Sequence, residues 1–132
     1  MEKVNPKSVI RISRYCTAVR NPNDRFGLKA KSNMDIFEKD LSGAMVSPDE
    51  PGYDQLISTI FDTMATAAEM NTKGWLSPEE VHDYLHRITG REIDPSTTLL
   101  PPFYVDYGKN IRIGKGCWIQ QGCTFLCEFG IN

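Results

Sequence analysis

The last 26 residues decide the fold once they are set out in sixes: Tyr107-Gly-Lys-Asn-Ile-Arg, Ile113-Gly-Lys-Gly-Cys-Trp, Ile119-Gln-Gln-Gly-Cys-Thr, Phe125-Leu-Cys-Glu-Phe-Gly, then Ile131-Asn132. The first position is always large and apolar (Tyr107, Ile113, Ile119, Phe125, Ile131). The fifth is apolar again (Ile111, Cys117, Cys123, Phe129), and glycine or small polar residues fill much of what lies between. A six-residue period is the mark of a left-handed parallel β-helix, in which each short strand makes one side of a triangular coil. Position one points inward and needs bulk. Position five faces inward near the corner, and glycine and asparagine accommodate the turns.

The same period bears on the cysteines. Three of the four lie close together as C-x5-C-x3-C (Cys117, Cys123, Cys127). Zinc sites present C-x2–4-C pairs with further ligands, so this spacing does not suit one. Cys117 and Cys123 instead fall on inward positions of the repeat, where free cysteine packs as a small hydrophobe. Cys127 falls at position three and the repeat does not explain it.

Upstream of the repeat the pattern is helical. Residues 34–43, MDIFEKDLSG, read as a short helix with Ile36, Phe37 and Leu41 on one face and Gly43 at its stop. A proline- and glycine-held loop follows. From Asp54 to about Asn71, Leu56, Ile60, Met64 and Ala68 recur every four residues beside Ile57 and Phe61, which predicts one wide apolar stripe. The third helix opens on Ser77-Pro78-Glu79-Glu80, with a hydroxyl at the cap, proline at the first turn and glutamate three residues after the cap. Val81, Leu85 and Ile88 line its face and Gly90 ends it. Helical spacing disappears after Ile93, and prolines, β-branched and aromatic residues take over. The expectation is an α+β chain: a basic, poorly ordered extension over 1–33, a helical module over 34–93, and β-helix coils over 94–132.

At 132 residues the chain has room for one modest core. No apolar run approaches the ~20 residues of a membrane span. The N-terminus lacks the apolar stretch of a secretory signal, so the expectation is a cytoplasmic protein with reduced thiols. The net charge of −2 hides an asymmetry: residues 1–33 carry eight basic side chains against Glu2 and Asp24, a net of +6 that leaves −8 for the rest. Scattered charge with few aromatics (Tyr15, Phe26) reads as a solvated extension rather than a nucleic-acid arm. Met34 also looks like a second possible start. His82 and His86 stand four apart on the third helix and share a face. No third ligand of suitable spacing follows them, so both are expected to be exposed surface histidines rather than a metal pair.

Three stretches together resemble the maltose and galactoside O-acetyltransferases. MDIFEKDLSGAMVSPDEP (residues 34–51) is similar to their N-terminal helical module. PPFYVDYGKNI (101–111) is similar to the block that leads into their β-helix, and IGKGCWIQQGCTFL (113–126) to the coil that follows. The resemblance covers residues 34 to about 128. It implies acetyl transfer from acetyl-CoA to a sugar hydroxyl by a homotrimer of left-handed β-helices, with sites between neighbouring subunits and a histidine as general base. Carried over by position, it implies that Asp106 is a polar residue on the acceptor side and that Trp118 stacks on the sugar. It likewise implies that Gln120 contacts the acceptor and that Glu128 stands near where the family supplies an aspartate.

The chain departs from that pattern where the chemistry lies. The family's histidine motif falls roughly twenty residues past the Thr-Phe-Leu of residues 124–126, beyond Asn132, and Cys127 stands where a carboxylate is expected. The later coils of the acetyl-CoA groove and trimer contact are missing as well. No catalytic residue is therefore assigned. The resulting expectation is a member of the sugar O-acetyltransferase family, inactive on its own, with a non-catalytic relic or a small sugar-binding or assembly module as the alternative.

Overall fold

A computed structural model describes residues 34–126. The basic extension, Cys127, Glu128 and the final repeat lie outside the described residues. Among the described residues, three helices and four short parallel strands make an α+β arrangement: α1 Ile36–Ser42, α2 Tyr53–Thr72, α3 Pro78–Thr89, β1 Thr98–Leu99, β2 Phe103–Val105, β3 Trp118–Ile119 and β4 Cys123–Phe125.

The helix ends follow local chemistry. The Asp35 side chain caps α1 by accepting from the Phe37 amide, and Gly43 closes it in the left-handed conformation. The capping box at Ser77 and Glu80 is complete in both directions, with Pro78 at the first turn and Gly90 as the stop. The faces are less faithful to the pattern. In α1, Ile36 is buried and Phe37 packs beside the core, but Leu41 is exposed. In α2 the buried side chains are Leu56, Thr63, Ala67 and Met70, so the expected stripe through Met64 and Ala68 is displaced. Phe61 and Met64 face outward, 64% and 47% exposed. The helix carries apolar side chains on two sides, and the core takes the side on which small Thr63 and Ala67 let the strands approach. Thr63 satisfies its own hydroxyl by donating to the Thr59 carbonyl.

The strands pair in parallel, β1 with β3 and β2 with β4. Thr98 stands opposite Trp118 and Phe103 opposite Cys123, so partners are twenty residues apart in both pairs. A strict period of six with three sides to a coil would set them two residues closer. The extra two residues fall in the link between β2 and β3, which contains a 3-10 turn at Gly108–Asn110. Packing against α3 explains the turn: a Cβ on Gly108 would lie 2.4 Å from Ile88 Cγ2 and 2.6 Å from the Ile88 carbonyl oxygen. Lys109 Nζ donates to the Arg87 carbonyl and the Asn110 amide to Asp40, tying the turn to α3 and α1.

This register corrects the reading of the cysteines. Equivalent positions of successive sixes do not pair with one another, and what stands opposite Cys123 is its partner Phe103. Cys123 is buried as expected, but Cys117 is only half-buried, at the corner where its carbonyl accepts from the Thr98 amide. Ile113 is likewise half-buried, whereas Tyr107, Ile111, Ile119 and Phe125 are inside.

Helices and strands share one core. Met70, Leu85, Ile88 and Phe103 are fully buried within it, and Phe103 meets Phe125 edge to face at 5.1 Å. Asn71, at the end of α2, brackets Phe103: its amide nitrogen donates to the Phe103 carbonyl and its carbonyl oxygen accepts from the Phe103 amide, both at 2.9 Å. A side chain thereby does for β2 what a neighbouring strand would do. Among the described residues, no helix is long and apolar enough to cross a membrane.

Candidate functional site: an outward strand face and the cleft beside it

Alternation along β3 sets the face. Ile119 points into the core, so Trp118 and Gln120 on either side of it point outward. The ladder holds them in register: the Thr98 amide donates to the Cys117 carbonyl at 2.8 Å and the Leu100 amide to the Ile119 carbonyl at 3.0 Å. Thr98 and Leu100, both half-buried, therefore lie on the same face of the β1–β3 pair as Trp118 and Gln120. The indole of Trp118 is 48% exposed. Such a face offers an aromatic plane, an amide and a hydroxyl, with no ionised group on the strand that carries it.

Asp106 is not part of this face. It follows β2, past the corner formed by Pro101 and Pro102, and its half-buried carboxylate accepts from the Tyr107 amide. Its own amide donates to the Phe125 carbonyl. The structure thus brings Trp118 and Gln120 together and sets Asp106 on the next side. Glu128 lies outside the described residues.

Beside the face is a cleft of about 320 Å³ between the α2–α3 link and β1. Trp75, His82, Thr98, Leu100, Pro101 and Gln121 help to line it. The link explains Trp75: Leu76 packs against the core and Ser77 caps α3, which leaves the indole outside at 85% exposure. His82 corrects the expectation of two exposed histidines. It is half-buried, with Nε2 2.8 Å from the Thr97 carbonyl. A carbonyl only accepts, so Nε2 carries the proton, and a neutral ring then has its lone pair on Nδ1. His86 is exposed as expected, and its Nδ1 donates to the Arg91 carbonyl at 2.9 Å. Each ring is oriented by a different carbonyl, so the pair does not act as one ligand set. Among the described residues, no group of three or more His, Cys, Asp or Glu is placed to hold a metal ion.

Several shifted ionisable groups serve the frame rather than the face. The Tyr84 hydroxyl, and then the Arg87 guanidinium, hold the Glu69 carboxyl below its usual range. Burial pushes the Tyr107 phenol up to about 12, with the charges of Asp40 and Asp35 adding to the effect. Burial also draws the Lys109 ammonium down. Lys39 clamps Glu50 across the loop between α1 and α2 and lowers its carboxyl.

Sequence reasoning missed Asn71, Trp75 and Gln121. Trp75 carried a usable signal, a large aromatic set in a glycine-marked break between two helices. Asn71 carried none, because its partner is 32 residues away.

No family model matches the chain, and no solved structure matches it. Among curated proteins, Nodulation protein L of Rhizobium meliloti (strain 1021) is 30% identical to it over 89 residues, 67% of this chain and 46% of the relative. The chain thus spans a little under half the length of that relative.

Proposed function

We propose that this chain is the acceptor-binding part of a sugar O-acetyltransferase of the hexapeptide-repeat kind. In this reading the parallel strands are the first coils of a left-handed β-helix. The face of Trp118 and Gln120 receives a neutral sugar, to which acetyl would pass from acetyl-CoA. Asp106, one side further on, and Glu128 would serve the acceptor from neighbouring positions, and like chains would assemble around the strand stack. The observation that carries the reading is the outward pair Trp118 and Gln120 on a parallel coil entered through PPFYVDYGKNI. An indole plane suits the C–H face of a pyranose, and an amide beside it can both donate to and accept from sugar hydroxyls. The likeness to Nodulation protein L supports the same direction.

Acetyl transfer needs a base to take the acceptor hydroxyl's proton as its oxygen attacks the thioester carbonyl, a contribution typically of about 10²–10⁴-fold. The two histidines of the chain both sit on α3, and each spends a ring N–H on a backbone carbonyl. Neither stands on the strand that carries Trp118 and Gln120, which favours sugar binding without turnover for the 132-residue polypeptide. Calorimetric titration of the full chain with glucose, maltose and lactose, alongside release of CoA from acetyl-CoA, tests both halves. The expected result is saturable sugar binding and no CoA release above the blank. Absence of binding to every sugar overturns the acceptor reading, and rapid turnover overturns the assignment of the chain as binding without catalysis.

A further inference from the structure

The cleft beside the acceptor face has a chemistry of its own. Among the described residues, none of those that line it is Asp, Glu, Lys or Arg. A nucleotide, a phosphate or the phosphate-bearing end of acetyl-CoA would find no lysine or arginine there, and an ammonium group would find no carboxylate. What the cleft offers is a nearly bare indole at Trp75, apolar walls at Leu100 and Pro101, and three hydrogen-bonding side chains: the Gln121 amide, the Thr98 hydroxyl and the imidazole of His82. His82 is pre-oriented, because its Nε2–H is fixed on the Thr97 carbonyl, which leaves Nδ1 as the ring's other polar atom. About 320 Å³ lies near the lower end of ligand sites, which run from ~300 to 1,000 Å³, and suits one ring rather than an extended cofactor.

The cleft also adjoins the acceptor face. Thr98, which lines it, is the register partner of Trp118, and Gln121 follows Gln120 in the chain. From these features we infer that the cleft is a second sugar subsite, holding a neutral pyranose ring with Trp75 as its stacking platform, so that the chain takes a disaccharide or longer glycan across Trp118 and Trp75. The inference rests on the reading of the Trp118 face as a sugar-binding surface and adds the length of the ligand to it. A neutral polyhydroxylated ring is the class that uses every group present, since its C–H face meets the indole and its hydroxyls donate to His82 and exchange hydrogen bonds with Gln121.

The two tryptophans of the chain make the test direct, because each stands in one of the two places. In the full chain, Trp118→Phe leaves Trp75 as sole reporter and Trp75→Phe leaves Trp118. Each variant is titrated with glucose, maltose, lactose and, as a charged control, glucose 6-phosphate, and tryptophan emission is read. The expected result is that maltose or lactose shifts the emission of both reporters and binds more tightly than glucose, whereas the phosphate binds more weakly than glucose. Trp75→Ala, at a side chain too exposed to disturb folding, is expected to weaken disaccharide binding about tenfold while glucose binding at Trp118 stays the same. A Trp118 response with a silent Trp75 overturns the second subsite and leaves the acceptor reading standing. A Trp75 response with a silent Trp118 removes the acceptor face and the two-ring ligand with it. Silence at both positions overturns both, and tighter binding of the phosphate than of glucose contradicts the neutral chemistry assigned to the cleft.

Discussion

The helices and the strands of this molecule are held in place by different kinds of information. The first and third helices carry their own punctuation: Asp35 and Gly43 bound α1, and Ser77, Glu80 and Gly90 bound α3, all within a few residues of the backbone groups they satisfy. The strands are two or three residues long and cannot fix themselves. Their register comes from contacts far along the chain, with Asn71 gripping Phe103 and Gly108 wedged under Ile88. A helix end here is a local decision, whereas a strand position is negotiated with the helices it packs on.

That contrast ranks the substitutions that would break it. Phe103 has no exposed surface, stands opposite Cys123, meets Phe125 edge to face and is gripped by Asn71 of α2. Phe103→Ala is expected to cost about 3–5 kcal/mol in urea unfolding, the range for a large aromatic removed from a core. Asn71→Ala should come next, at roughly 2 kcal/mol or more, because it strips partners from two backbone groups of Phe103 at once. Hydrogen exchange of the Phe103 amide sharpens this prediction, since the loss should appear there and leave the α3 amides as they were. Ser77→Ala tests the other kind of information and should cost about 1 kcal/mol, with exchange quickening only in the first turn of α3. A larger effect of Ser77 than of Asn71 would reverse the comparison.

The same contrast explains what the sequence made legible. The three helices, the Gly43 stop of α1, the capping box and Gly90 stop of α3, the change of character near Ile93 and the inward set Tyr107, Ile111, Ile119, Cys123 and Phe125 could be read from spacing and residue type. The buried face of α2 could not. That helix is apolar on two sides, and only the approach of the strands decides that Thr63 and Ala67 go in while Phe61 and Met64 stay out. Nor was the offset of twenty residues legible, because the period of six shows nothing of the turn that Ile88 forces at Gly108. For the candidate site, Trp118 and Gln120 were named only through the family resemblance, and their outward direction follows from the strand in which Ile119 points in. Trp75 and His82 join them through the fold alone.

A smaller effect concerns pH. The Tyr107 phenol is raised by burial to about 12 in the folded chain, above its ordinary value near 10. The folded state then holds a proton that the unfolded state gives up, so this contribution to stability is full below about pH 10 and is lost as the pH rises towards 12. Tyr107→Phe is expected to flatten the fall in stability between those limits, as followed by urea unfolding at stepped pH. An unchanged slope would mean that the phenol ionises as freely in the folded chain as in water.

The central claim is that the strands stack in parallel with partners twenty residues apart, because that register turns Trp118 and Gln120 outward beside Thr98 and the cleft. Backbone NOEs across the ladder of the labelled chain test it most directly. The account predicts cross-strand contacts joining Phe103 with Cys123, Tyr104 with Thr124 and Val105 with Phe125. Contacts joining Val105 with Cys123 and Tyr107 with Phe125 instead, the pattern of an uninterrupted six-residue period, would contradict it.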